Sequence, residues 1–152
     1  VIYSLDTASP ADLERIAANM DPADAAEVWA TAHHTPLEAL TISVAASRDP
    51  WVGRVDDVPI CAFGVGQRTI LDDRGSPWLL GTPEIRKHSR VFLHASRNWV
   101  EAQAERFRTL ENFVDSRHTR AVKWLRWLGF TIEPAQPFGP DGVPFHHFHM
   151  RA

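Results

Sequence analysis

The spacing of apolar positions changes several times along the chain, and each change marks an element. Residues 2–7 are short and mixed and read as a first strand. Ser9-Pro10-Ala11-Asp12 supplies a capping hydroxyl, a proline at the first helical position and an early acid, which start a helix through Leu13, Ile16 and Ala17. Met20-Asp21-Pro22 interrupts it, and Asp21-Pro22-Ala23-Asp24 caps a second piece carrying Val28 and Trp29. Thr35-Pro36-Leu37-Glu38 repeats the signal, and Leu37, Leu40 and Val44 keep helical spacing up to Arg48, where Asp49-Pro50 ends it.

A β-rich middle follows. Trp51-Val52-Gly53-Arg54-Val55 is a strand, Asp56-Asp57 a tight hairpin turn, and Val58 to Thr69 a longer strand. Asp72-Asp73-Arg74-Gly75-Ser76 reads as a turn before a short apolar strand, Trp78-Leu79-Leu80, that ends at Gly81. Thr82-Pro83-Glu84 begins the longest helix, with Ile85, Phe92 and Trp99 as its core stripe and Ala95 and Ala102 between them. Leu110 to Val114 is another strand. A helix from Thr119 to Leu128 places Ala121, Trp124, Leu125 and Leu128 on one face, and Gly129 stops it. Thr131-Ile132-Glu133 and Pro144 to Met150 are two last strands joined by the loop 134–143. This order predicts a single α+β domain over residues 1–152, with a mixed, mostly antiparallel sheet of six to seven strands flanked by about four helices.

Charge sharpens the picture. The net charge of −3 argues against general nucleic-acid binding, yet the first forty residues hold seven acids against Arg15 alone. Residues 117–126 hold Arg117, Arg120, Lys123 and Arg126 with no acid. Such polarity steers an anionic ligand, fixes a protein contact, or reflects two solvated helix faces. No apolar run approaches the ~20 residues of a membrane span, and Val1-Ile2-Tyr3-Ser4-Leu5-Asp6 is no signal peptide, so a cytoplasmic location is expected. Cys61 is the single cysteine; its apolar setting, Ile60-Cys61-Ala62-Phe63, suits a small packed hydrophobe better than a reactive thiol. Six tryptophans are many for this length, and Trp127, near Arg120 and Lys123, suits an interface anchor, ahead of stacking on an adenine ring or covering a sheet edge.

The stretch Asp115 to Phe130 carries a resemblance. In the GNAT superfamily of acyltransferases a strand leads to Asn, then Ala three residues on, Tyr four further, and Gly-Phe at the helix end. Ala121, Gly129 and Phe130 fall in that register, whereas His118 stands at the Asn position and Leu125 at the Tyr position. Glu111-Asn112-Phe113-Val114-Asp115, Trp124 to Phe130 and Phe145-His146-His147-Phe148-His149-Met150 resemble a narrower group. These are the small GNAT-like proteins of podophages, labelled internal virion protein A or virion assembly protein. Trp51-Val52-Gly53, Cys61-Ala62-Phe63-Gly64-Val65 and Ser76 to Thr82 fit that group too, so the resemblance covers about residues 20–150.

The resemblance implies an acetyl-CoA site along Leu79, Leu80 and Gly81, with Arg86, Lys87 and Arg120 toward the phosphates. In the superfamily, a Gln/Arg-x-x-Gly-x-Gly/Ala turn offers backbone N–H groups to the pyrophosphate. Here no glycine follows Gly81 in that turn, Pro83 removes a donor and Glu84 brings a repelling carboxylate. Leu125 cannot protonate a departing thiolate, and Asp115 and His118 are the substitutes best placed for proton transfer. Against that stands the reading in which Asp115 caps the helix and His118 merely opens it. His146, His147 and His149, like His33-His34, lack a third ligand nearby, so edge-strand polarity is expected rather than a metal. Two functions remain open. One is a virion or assembly component with a degenerate acetyl-CoA site, acting through contacts with a phage or host protein or a second copy of itself. The other is an atypical N-acyltransferase using acetyl-CoA. The resemblance places either in the host cytoplasm, with packaging in the virion for the first; neither calls for a membrane.

Overall fold

A computed structural model describes residues 1–151. Three proline-started helices follow the first strand β1 (Tyr3–Thr7): α1 (Pro10–Ala18), α2 (Pro22–Ala32) and α3 (Pro36–Ala45). Ser9 with Asp12 and Thr35 with Glu38 form reciprocal capping boxes, and the Asp21 carboxylate accepts from the Ala23 N–H. α3 stops at Ala45, short of the expected Arg48. Strands β2 (Trp51–Val55) and β3 (Val58–Gly66) meet at Asp56-Asp57, both at positive φ, the backbone of a primed hairpin turn.

The chain then runs through β4 (Arg74–Gly81), α4 (Ser89–Arg106), β5 (Thr109–Asp115) and α5 (Thr119–Leu128). It ends with β6 (Thr131–Ile132), β7 (Gln136–Phe138) and β8 (Val143–Arg151). The sheet order is β1-β2-β3-β4-β5-β8-β6, with β7 also pairing β8. The result is an α+β domain of five helices and an eight-stranded, mostly antiparallel sheet. The extra strand, β7, lies in the stretch expected as loop 134–143, where Pro134, Pro137 and Pro140 hide a short pairing. β4 begins at Arg74, inside the expected turn, because Ser76 and Pro77 pair with Gly66 and Val65. The histidine-bearing β8 is flanked by β5 on one side and β6 and β7 on the other, so it is interior rather than an edge strand.

Each face of the sheet has its own core. On one, Leu13, Ile16, Leu40 and Val28 of the first three helices bury against Val52, Ala62 and Leu80. Ile16 and Leu40 are completely buried, each worth about 2 kcal/mol in removed apolar surface. On the other, Val100 of α4 and Val122 and Leu125 of α5 pack on Leu110, Val114, Phe130 and Phe148. The expected stripe of the long helix is displaced. Pro83–His88 form a separate 3-10 helix, so α4 restarts at Ser89; it buries Ser96, Val100 and Gln103, while Ala95 and Ala102 face solvent.

Candidate functional site

β4 and β5 are the only parallel neighbours among the described strands, and they pair only at Arg74–Thr109 and Gly75–Leu110. Beyond that they part. Asn112 spans the gap at its narrow end, donating from Nδ2 to the Pro77 carbonyl at 3.0 Å and accepting from the Phe113 N–H at 2.8 Å. One side chain suffices there. At the wide end, two acids of α2 are needed, and the physical reason lies in the strand edges: each backbone group withdrawn from pairing must find another partner.

Asp24 and Glu27 supply those partners. The Gly81 N–H donates to Asp24 Oδ2 at 2.9 Å, and the Asp21 N–H donates to the Gly81 carbonyl at 2.8 Å. Asp24 Oδ1 takes the Nε2–H of His118 at 2.6 Å, while His118 Nδ1 accepts from the Ala121 N–H and so caps α5. Glu27 Oε2 accepts from the Asp115 N–H at 3.0 Å. α2 therefore lies across the mouth of the gap, one acid to each strand.

The electrostatics follow from burial. Burial pushes the Glu27 carboxyl up to about 7, helped by the charges of Asp24 and Asp115 and only partly opposed by the Asp115 N–H and His118. For His118, burial works to lower the pKa, but the Asp24 bond and the charges of Glu27, Asp24 and Asp21 outweigh it and raise it. Burial likewise opposes ionisation of Asp115, yet hydrogen bonds and charge from Arg117 hold it below the usual carboxylate range. Arg117 grips Asp115 through Nε at 3.0 and 3.1 Å and Nη2 at 2.6 Å.

Asp115 and His118, paired by the sequence reading as proton-transfer groups, thus turn to different partners: Arg117 for one, Asp24 for the other. The helix cap is His118 rather than Asp115. Arg86 reaches Asp21 at 2.6 Å, Arg120 approaches the same oxygen at 3.6 Å, and Lys87 pairs with Glu84 at 3.2 Å. Leu80 is in the first core, and Leu79 and Gly81 line the gap's edge. The acids crowding the first forty residues are largely internal partners: Asp12 holds Arg54, Asp21 holds Arg86 and Arg120, and Asp24 holds His118. Glu27 and Asp24 were missed as site residues. Their only signal was an acid pair at i, i+3 in an alanine-rich helix.

The gap opens into a cleft of about 1010 Å³ that also reaches Phe92 and Trp124 between α4 and α5. The Trp124 indole donates to Ser96 Oγ at 3.1 Å and its ring lies 5.3 Å from Phe92, drawing the two helices together. Arg97 stacks over exposed Trp127 at 3.8 Å, so that ring's nearest cation comes from α4 rather than from Arg120 or Lys123.

The turn before α4 departs from the superfamily's phosphate pattern. With Arg86 opening the phosphate pattern, Ser89 and Val91 stand where glycines would allow close approach. The 3-10 helix precedes α4, whose N-cap residue His88 bonds the Tyr3 hydroxyl rather than capping the helix with its side chain, and Glu84 adds negative charge. Elsewhere, Cys61 is buried and its thiol is pushed up to about 12 by burial. The terminal histidines are engaged singly, His146 with the Glu133 carbonyl, His149 with the Glu133 carboxylate and His147 near Glu111. No metal-holding cluster and no helix long and apolar enough to cross a membrane occurs among the described residues.

No protein-family profile matches the sequence, and no characterised protein matches it as a sequence relative. Solved structures do match. An N-acetyltransferase from Staphylococcus aureus Mu50 superposes with a TM-score of 0.73 at 13% identity, covering 99% of both chains. A GNAT-family acetyltransferase from Streptococcus pneumoniae gives 0.63 at 14% identity, again over 99% of each. The Salmonella typhimurium protein yncA, solved with its cofactor acetyl-CoA, gives 0.66 at 13%, covering 99% of this chain and 94% of its own. At such identities the likeness is one of fold, and the fold is that of the GNAT acetyltransferases.

Proposed function

We propose that this GNAT-fold chain is a virion or assembly component of a phage, acting through protein contacts, whose acetyl-CoA site has degenerated. The observation that carries the reading is α2 lying across the β4/β5 gap. The Asp24 carboxylate accepts from the Gly81 N–H, the Asp21 backbone N–H donates to the Gly81 carbonyl, and Glu27 accepts from the Asp115 N–H, so most of the strand-edge groups a cofactor amide would pair with are already bonded. Ser89, Val91 and Glu84 in the phosphate turn, and Leu125 in place of a proton donor, support it further. The sequence resemblance to podophage virion proteins supplies the biological setting, and a phage or host protein as partner.

A second reading, an atypical N-acyltransferase, is favoured by one observation: Glu27, with its carboxyl near neutrality, faces a large cleft, the setting of many general bases. Thermal shift with millimolar acetyl-CoA separates the two. A stabilisation that vanishes in the Arg86→Ala/Lys87→Ala double variant contradicts the contact reading; no shift supports it. Mass spectrometry of purified virions tests the packaging directly, and its absence from both virions and assembly intermediates sinks the virion role.

A further inference from the structure

Far from the cleft mouth, the sheet has an open side. β1 ends the strand order, and no described strand pairs with its outer edge. The Asp56 N–H donates to the Ile2 carbonyl, which fixes the alternation of the antiparallel ladder. Ile2, Ser4 and Asp6 therefore turn their backbone groups toward β2, and Tyr3, Leu5 and Thr7 turn theirs outward. Such a row of free N–H and carbonyl groups templates another strand, so edges are commonly blunted by lysine, proline or a bulge. β1 has none of the three. Its side chains are apolar as well: Ile2 is 71% exposed and Leu5 57%, and Tyr3 and Val58 are exposed beside them.

This edge is complementary to itself. In a two-fold antiparallel pair centred on Leu5, each Leu5 exchanges both hydrogen bonds with the other, and Tyr3 exchanges both with Thr7 of the second copy. Every outward group of β1 is then used. Centring on Thr7 would call on Ser9, whose N–H and hydroxyl are taken by the α1 capping box. Centring on Asp6 opposes two carboxylates, and centring on Ser4 leaves Thr7 without a partner inside the strand. On the face where Tyr3 bonds His88, the Leu5 register buries one Leu5 against the other. On the α1 face it sets Asp6 opposite Ser4 of the second copy, and Ser4 lies beside Arg54. Arg54 holds its own Asp6 through Oδ2 at 2.9 Å and Asp12 at 2.7 Å, which leaves Asp6 Oδ1 free. Across the small Ser4 side chain, that oxygen faces the Arg54 of the second copy, so opposite charges alternate along the seam.

We propose that β1 pairs antiparallel with β1 of a second copy of this chain, across a two-fold axis at Leu5, joining two eight-stranded sheets into one. The pairing goes beyond the reading of the cleft and holds whether or not acetyl-CoA binds there.

Sedimentation of the full chain from about 1 µM to about 1 mM covers the affinities of a short seam. The mass rises from one chain to two with concentration. The Tyr3, Leu5 and Thr7 amides gain exchange protection as it does, whereas Ser4 and Asp6 are protected throughout. Leu5→Lys loses the apolar pair and opposes two ammonium groups, weakening the dimer about tenfold, while its melting in dilute solution matches the parent. Leu5→Cys cross-links under mild oxidation, because Cα atoms of a hydrogen-bonded pair stand about 5.5 Å apart, within disulfide range. Tyr3→Cys alone does not cross-link; combined with Thr7→Cys it does, and buried Cys61 takes no part. A chain that stays monomeric throughout overturns the proposal, whether its edge stays open or takes a strand of another protein. So does a dimer that Leu5→Lys leaves unchanged, or one in which Tyr3→Cys alone cross-links as fast as Leu5→Cys. If the lysine variant does not fold, the cross-linking pattern and the parent's amide exchange decide alone.

Discussion

Glu27 makes the stability of this protein fall as the pH rises from about 4.5 to about 7. Its carboxyl titrates near 7 in the folded chain, against an ordinary 4.5, because burial beside Asp24 and Asp115 outweighs the Asp115 N–H and the charge of His118. Between those values the folded state keeps a proton that the unfolded state has released. Each pH unit therefore costs about 1.4 kcal/mol, and the whole interval about 3 kcal/mol. His118 acts in the same sense, since its raised pKa gives stability that is full below its ordinary 6.5 and is lost as the pH passes the folded value. Glu27→Gln removes the Glu27 contribution: the glutamine oxygen still accepts from Asp115 and that carboxyl no longer ionises. Urea unfolding from about pH 5 to about pH 8 should show the parent losing about 3 kcal/mol more than the variant, or about 10 °C in Tm for a domain of this size. Parallel stability curves for the two proteins would refute the burial argument.

Other expectations follow from single contacts. Arg117→Ala strips three hydrogen bonds from Asp115, which is 2% exposed, and should cost about 1–3 kcal/mol at neutral pH. Because the folded Asp115 pKa is depressed, that stability is lost as pH falls below about 4, so parent and variant should converge in acid unfolding. Gly75→Ala drives a methyl into Val65 and the Phe107 ring inside the second core, costing about 1–3 kcal/mol in urea unfolding. Cys61, buried and pushed to about 12, should react with thiol reagents only at the rate of global unfolding; fast labelling of native protein would contradict its placement.

Much of the fold could be read in advance because its signals are local. Proline after a capping side chain starts α1, α2 and α3, and Gly129, at φ 103°, ends α5. The misses have long-range causes. Arg74 to Ser76 read as a turn since Gly-Ser before Pro77 lacks strand propensity, and only the pairing of Ser76 and Pro77 with Gly66 and Val65 makes it β4. β7 is three residues between prolines, held by β8. The site was legible in place but not in partnership. Leu79, Gly81, Arg86, Arg120, Asp115 and His118 do gather around one gap, but Asp24 and Glu27 arrive from a helix about ninety residues away in sequence, a separation no spacing rule reveals. The acidic bias of the first forty residues was the visible trace of those partnerships.

In the proposed reading, α2 holds most of the strand-edge groups that a cofactor amide would pair with. Amide-resolved NMR of the whole protein with millimolar acetyl-CoA tests it most directly. The Leu79, Gly81 and Asp115 amides should stay where they are, and no binding heat should accompany the titration. Saturable shifts at Gly81 and Asp115, with α2 released from the gap and Glu27 newly ionised, would contradict it.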